Sequence, residues 1–147
     1  MKPLAWIGAD PGTTGAIAIL TEDDEVHIRD YEDDLIEWLQ YFDDNYQIDE
    51  VVVEKVHSSG QMGVKNSFKF GEAFGRVRGI LEATTLKPVL VSPHTWKKIM
   101  NLTSDKEMCR MEALRMFPQA RMHLTYKKDH NRAEALLLAQ YAKMIAR

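Results

Sequence analysis

Apolar residues recur along this chain in two rhythms. Residues 4–10 (Leu-Ala-Trp-Ile-Gly-Ala-Asp) and 16–20 (Ala-Ile-Ala-Ile-Leu) read as two strands. Pro11-Gly12 turns the chain between them, and Gly15 restores backbone freedom as the second strand begins. Residues 25–31 alternate, placing Val26, Ile28 and Tyr31 on the core side of a third strand. Residues 48–56 carry Val51-Val52-Val53, a run expected where a strand is covered on both faces. Residues 88–92 (Pro-Val-Leu-Val-Ser) predict a fifth short strand.

Elsewhere the period lengthens to that of a helix. Over residues 32–45, Leu35, Ile36, Leu39, Tyr41 and Phe42 form an apolar stripe, opposite a solvated face of Asp33, Asp34, Glu37, Asp43 and Asp44. Residues 67–83 bury Phe68, Phe70, Ala73, Phe74, Val77 and either Ile80 or Leu81 in the same way. Gly71, Gly75 and Gly79 recur every fourth residue of that helix, which predicts close backbone packing, a dimer seam being one form of it. Pro93 opens a helix running to Met100. Ser104 stands as N-cap of the next, with Glu107 at the capping-box spacing and Met108, Met111, Leu114 and Phe117 on the buried side. The last helix begins near Asp129 and has an Ala/Leu-rich body. Residues 57–66 and 119–128 read as loops. The order β-β-β-α-β-α-β-α-α-α predicts an α/β fold: a five-stranded mixed sheet, its first three strands antiparallel, flanked by helices on both faces.

Two carboxylates break this pattern. Asp10 ends the first apolar strand and Glu54 ends the fourth. A charge beside a central strand is costly unless it finds a partner or a metal, although Asp10 is equally able to cap its own turn. Strands lying side by side bring the two acids together. Glu134 sits on the apolar body of the last helix, and Asp129 at its start. Four carboxylates without cysteine suit a hard, oxygen-preferring ion such as Mg²⁺ or Mn²⁺, whose characteristic chemistry is phosphoryl transfer, with two ions per site.

Composition sharpens this. A chain of 147 residues, 45% apolar and 28% charged, fits a single domain spanning residues 1–147. Its one cysteine, Cys109, excludes an internal disulfide and a cysteine-rich zinc site, so a reducing, cytoplasmic setting is expected. Met1-Lys2-Pro3 leads straight into a strand, and no apolar run is long enough for a membrane span, so neither signal peptide nor membrane is expected. The net charge of −3 conceals an asymmetry: residues 1–54 hold fifteen acidic and two basic residues, residues 55–147 seven acidic and seventeen basic. A basic surface neutralises phosphates, which favours nucleic acid as partner, unless the two signs meet within the fold.

Five blocks now stand in order: Ile-Gly-Ala-Asp-Pro-Gly-Thr-Thr-Gly-Ala, Val-Val-Val-Glu-Lys-Val-His, Gly-Glu-Ala-Phe-Gly-Arg-Val-Arg-Gly, Pro-Val-Leu-Val-Ser-Pro-His-Thr-Trp-Lys-Lys and Arg-Ala-Glu-Ala-Leu-Leu-Leu-Ala. Over nearly its whole length the chain resembles the RuvC family of Holliday junction resolvases, particularly the short phage-encoded type. The resemblance implies an RNase H-like fold, a homodimer, and an Mg²⁺-dependent endonuclease, with Mn²⁺ able to substitute, that nicks four-way DNA junctions symmetrically. Flaps and forks are related branched substrates. For a phage protein, it implies the cytoplasm of a bacterial host. Asp10 and Glu54 match the family's first two catalytic acids, and Glu134 the last, where the family more often has Asp. The third acid usually lies three residues before the last. Asn131 stands there, leaving Asp129, His130 and Asn131 as candidates and Asp129 as the preferred one. His57 occupies the place of a base-stacking aromatic, and Lys98 and Lys106 resemble family lysines that contact DNA. Lys65, Lys69, Arg76 and Lys97 complete the expected DNA-binding set. The opening motif is shared with sugar kinases and actin-like ATPases, but 147 residues leave no space for their second domain. A junction-binding protein that has lost catalysis, with Asn131 as the altered position, is the other alternative.

Overall fold

The protein's structure, a computed structural model, describes residues 1–55 and 60–146. It has the expected five-stranded mixed sheet. Strands β1 (Leu4–Asp10), β2 (Ala16–Thr21), β3 (Val26–Asp30), β4 (Gln47–Glu54) and β5 (Val89–Val91) lie in the order β3-β2-β1-β4-β5. β1 to β3 form an antiparallel meander, and β4 and β5 extend it in parallel.

Helices cover both faces, as the continuous Val51-Val52-Val53 run requires. On one side α1 (Leu35–Asn45) and α2 (Val64–Thr84) pack on Ala5, Ile7, Ala9, Ile17, Ile19, Val51 and Val53. On the other, α3 (Pro93–Ile99), α4 (Lys106–Met116) and α5 (His130–Ile145) pack on Trp6, Ala16, Ala18, Leu20, Val52 and Val91. Side chains alternate across a strand, so Trp6, Gly8 and Asp10 share the α5 side of β1, as Val52 and Glu54 do on β4.

α5 lies directly on β1. A Cβ placed at Gly8 would stand 2.2 Å from Ala139 N, 2.3 Å from Ala135 O and 2.6 Å from Leu138 C. No rotamer relieves a clash with backbone, so only glycine allows this approach. It explains why residues 133–139 of α5 are buried all round. At Gly15 a Cβ would stand 1.9 Å from the Asp10 carbonyl oxygen, so the β1–β2 turn also needs its glycine.

Several expectations for the helices and loops change. α2 begins at Val64, inside the segment expected as loop, and Phe68 is 72% exposed. Only Val77 and Leu81 of α2 are fully buried, both in its second half. A Cβ at Gly71, Gly75 or Gly79 would meet no atom within 4 Å among the described residues, so close packing with the sheet is not their role. In α1, Ile36 and Tyr41 are exposed while Leu35, Leu39 and Phe42 alone are buried. Asp105, not Ser104, caps α4, accepting the N–H groups of Glu107 at 2.9 Å and Met108 at 3.1 Å. That rotates the helix, burying Cys109, Ala113 and Phe117 and exposing Met108 and Met111. The 119–128 segment is not irregular throughout but contains two 3₁₀ turns, Pro118–His123 and Lys127–Asp129.

Two glycine substitutions separate these environments. Gly8→Ala forces α5 off β1 and is expected to lower unfolding free energy by about 3 kcal/mol or more. Gly71→Ala, on an open helix face, is expected to raise it by roughly 0.5–1 kcal/mol. Urea denaturation of both variants measures the contrast.

Candidate metal centre and nucleic-acid interface

Three elements bring the carboxylates together. In the parallel β1–β4 pair Gly8 faces Val52 and Ala9 faces Val53, so continuing the register sets Asp10 beside Glu54. Both point to the α5 face. The Gly8 contact lays α5 across them, and Asn131 at its start donates from Nδ2 to Thr14 O at 2.8 Å and Thr14 Oγ1 at 2.9 Å. α5 is thereby tied to the turn that follows Asp10, and Glu134 arrives at the same end of the sheet.

Each carboxylate is held. Asp10 accepts the Gly12 N–H at 3.3 Å, so the turn-capping role and the convergence with other acids coexist. The Tyr31 hydroxyl donates to the Asp10 carbonyl. Glu54 accepts Trp96 Nε1–H at 2.9 Å, and Trp96 is wholly buried under it. Glu134 is 1% exposed, and its Oε1 lies 2.9 Å from Lys106 Nζ and 3.4 Å from Lys97 Nζ. Its Oε2 is buried with no hydrogen-bond partner among the described residues.

Electrostatically the site is short of positive charge. Burial, then the charges of Glu134 and Glu54, push the Asp10 carboxyl up to about 7. Burial also raises Glu54, with the Trp96 hydrogen bond opposing and Glu134 adding to the rise. Burial pulls the Lys106 ammonium down, but its bond to Glu134 and the charges of Asp10 and Glu54 lift it above an ordinary lysine.

The residue preferred for the third acid position, Asp129, has other partners in the structure. Asp129 is buried but turned into its own 3₁₀ turn: Oδ2 accepts the Tyr126 N–H at 2.9 Å, and Oδ1 lies 3.7 Å from Arg132 Nη1. A carboxylate serving as cap and ion-pair partner does not join the other three. His130 is the better candidate. It precedes Glu134 by one helical turn and so shares its face, and its Nδ1 is buried with no partner among the described residues. Asn131 is occupied by Thr14.

Carboxylate oxygens from Asp10, Glu54 and Glu134, with Glu134 Oε2 buried and unpartnered among the described residues, are the donor chemistry a hard divalent ion takes. Among the described residues, no three His, Cys, Asp or Glu side chains stand close enough together to hold an ion. The lysine ammoniums lie where positive charge is wanted.

The expected DNA-binding residues divide. Lys97 is 8% exposed, with its ammonium on Glu134 and 5.5 Å from the Trp96 ring, so it faces the carboxylates and not the solvent. Lys106 also sits on Glu134, but its side chain is half-exposed. Lys98 is exposed and lines a cleft of about 430 Å³ formed by α3 and residues 102–104 that follow it. Lys65, Lys69 and Arg76 are exposed on α2; the last two, with Glu72, Ala73 and Thr13 of the β1–β2 turn, line a cleft of about 310 Å³. His57 lies outside the described residues. Trp96 and its bond to Glu54 were missed in the sequence, where a helix and a strand separate the indole from the acid. His130 was visible only as one of three neighbours.

No protein-family model matches this chain. No curated protein matches it. Among solved structures, it is similar to T. thermophilus RuvC in complex with Holliday junction substrate. The match covers 95% of this chain and 96% of that one at 16% identity, with a TM-score of 0.57. The chain has a RuvC-like, RNase H-like fold. No helix among the described residues is long and apolar enough to cross a membrane.

The raised Asp10 carboxyl has a measurable consequence. The folded chain keeps this proton up to about pH 7, whereas the unfolded chain releases it near 3.8. Folding stability of the protein in chelator is therefore full below about pH 4 and falls as pH rises towards 7. Asp10→Asn is expected to raise the unfolding free energy by roughly 2–4 kcal/mol at about pH 8, and hardly at all at about pH 4. Thermal melts in EDTA across this range provide the check.

Proposed function

We propose that this chain is a divalent-metal-dependent endonuclease for branched DNA, with four-way junctions as its main substrate. The convergence of Asp10, Glu54 and Glu134 at one end of the sheet carries the reading. The neighbouring fold, solved with a Holliday junction substrate, and the resemblance of the ordered motifs support the choice of DNA.

Asp10, Glu54, Glu134 and His130 would hold Mg²⁺ or Mn²⁺. Such ions acidify water and stabilise the oxygen that departs from phosphorus. Hydrolysis adds water to the phosphodiester, breaks the bond to the 3′ oxygen, and leaves a 3′ hydroxyl and a 5′ phosphate. The chain's own groups set the geometry: the Gly12 N–H orients Asp10, and the Trp96 indole orients Glu54. Lys97 keeps Glu134 partly neutralised from inside the fold. Lys65, Lys69 and Arg76 on α2, with Lys98 on α3, offer cations to the DNA backbone on either side of the centre.

Paired nicks on opposing strands require two sites, hence a homodimer. α2 would supply the seam through the exposed apolar residues Val64 and Phe68 near its start.

The test is cleavage of a synthetic four-way junction, a flap, a fork and a duplex in Mg²⁺ at several salt concentrations. Symmetric nicks in the junction are expected. Asp10→Asn is expected to lose at least about a thousandfold in rate while retaining junction binding in a mobility-shift assay. Salt sensitivity should fall when Lys69 and Arg76 are replaced by Ala. Absence of cleavage on every branched substrate, in Mg²⁺ and in Mn²⁺, overturns the reading.

A further inference from the structure

Two lysines share one oxygen of Glu134, and they are not equivalent. Lys97 is enclosed: its side chain is 10% exposed, and its ammonium lies 5.5 Å from the ring of buried Trp96. Lys106 is the first residue of α4, its side chain is 53% exposed, and it reaches inward to Glu134 Oε1 at 2.9 Å. One cation is built into the core, while the other has solvent to retreat into. Beyond them, Glu134 Oε2 has no partner among the described residues.

From this asymmetry we infer that Lys106 is an exchangeable counter-ion. Its ammonium occupies Glu134 Oε1 in the metal-free protein and leaves when a divalent cation binds, while Lys97 stays. A divalent ion on Glu134 would stand beside two ammoniums already on its Oε1, and the added repulsion in a partly desolvated site favours the departure of one of them. The ammonium with the open path is the one that moves. Removing Glu134's partner without replacement would strand a buried charge, so exchange keeps the carboxylate compensated throughout. The displaced Lys106 then stands at the mouth of the site, a free cation for an incoming phosphodiester.

The inference rests on Asp10, Glu54 and Glu134 taking a divalent cation, but not on cleavage. It makes Lys106 and the ion competitors, and coupling between competing ligands is reciprocal.

The experiment titrates Mn²⁺ into the full chain by calorimetry, without DNA, for wild type, Lys106→Met and Lys98→Met. Lys106→Met is expected to bind Mn²⁺ at least about fivefold more tightly. Lys98→Met, which removes an exposed charge not bonded to Glu134, is expected to change affinity less than twofold, roughly the limit for a screened surface charge. In parallel, ¹⁵N NMR of lysine-labelled wild type is followed while Mg²⁺ is added. The Lys106 ammonium signal is expected to shift towards that of a solvated lysine, and the Lys97 signal to keep its protected character. Unchanged or weaker Mn²⁺ binding by Lys106→Met overturns the inference. So do equal gains in both variants, movement of Lys97 instead of Lys106, or no Mn²⁺ binding by wild type. Exchange observed in a protein that cuts no branched DNA removes the nuclease reading and leaves this one standing; cleavage with no effect of Lys106 on Mn²⁺ affinity does the reverse.

Discussion

The backbone of α5 lies on the backbone of β1, and the rest of the centre depends on that contact. Gly8 is the residue that permits it. With the helix at this height, its Ala/Leu body closes the core on one side of the sheet. The side chain one turn nearer its start, Glu134, reaches the level of the β1 and β4 carboxyl ends. Asn131 holds the same helix to the β1–β2 turn. A missing side chain on a central strand thus sets the position of a charged one on a helix.

The charges so gathered are a local liability. Three carboxylates face two ammoniums in a region largely shut from water, and burial, with the charges of Glu134 and Glu54 adding to it, holds the Asp10 carboxyl at about 7. Burying charge is tolerated where function requires it and the surrounding fold supplies the stability. Here the support is visible: a buried indole for Glu54, a turn amide for Asp10 and a core lysine for Glu134. Each fixes an orientation before any ligand arrives.

Away from the centre the fold keeps its contacts looser. The first half of α2 leaves Val64 and Phe68 exposed. The opposite signs of charge in the two halves of the sequence partly adjoin, since acidic α1 and basic α2 cover the same face of the sheet. The outer acids of α1 remain solvated, as do Lys65, Lys69 and Arg76. The basic half therefore keeps free cations for a polyanion despite the net negative chain.

The strands and the two acids at strand ends were legible in the sequence, because β-branched runs, turn residues and isolated charges are local signals. So was the burial of Glu134, from the apolar body around it. What rotates a helix, or turns a side chain at its start, was not legible. Asp129 and His130 are neighbours of similar promise in one dimension; the capping of a 3₁₀ turn draws Asp129 away, and the helical period puts His130 beside Glu134. Lys97 and Lys98 likewise read alike, yet one enters the core and the other the solvent. The apolar stripe of α2 matched its period but not its surroundings, for periodicity reports which residues share a face and not whether a layer lies opposite. The sequence by itself determined which groups are available and on which elements they sit. Only the tertiary structure decided which of them meet, because that depends on where one helix rests on one strand, to within the size of a methyl group.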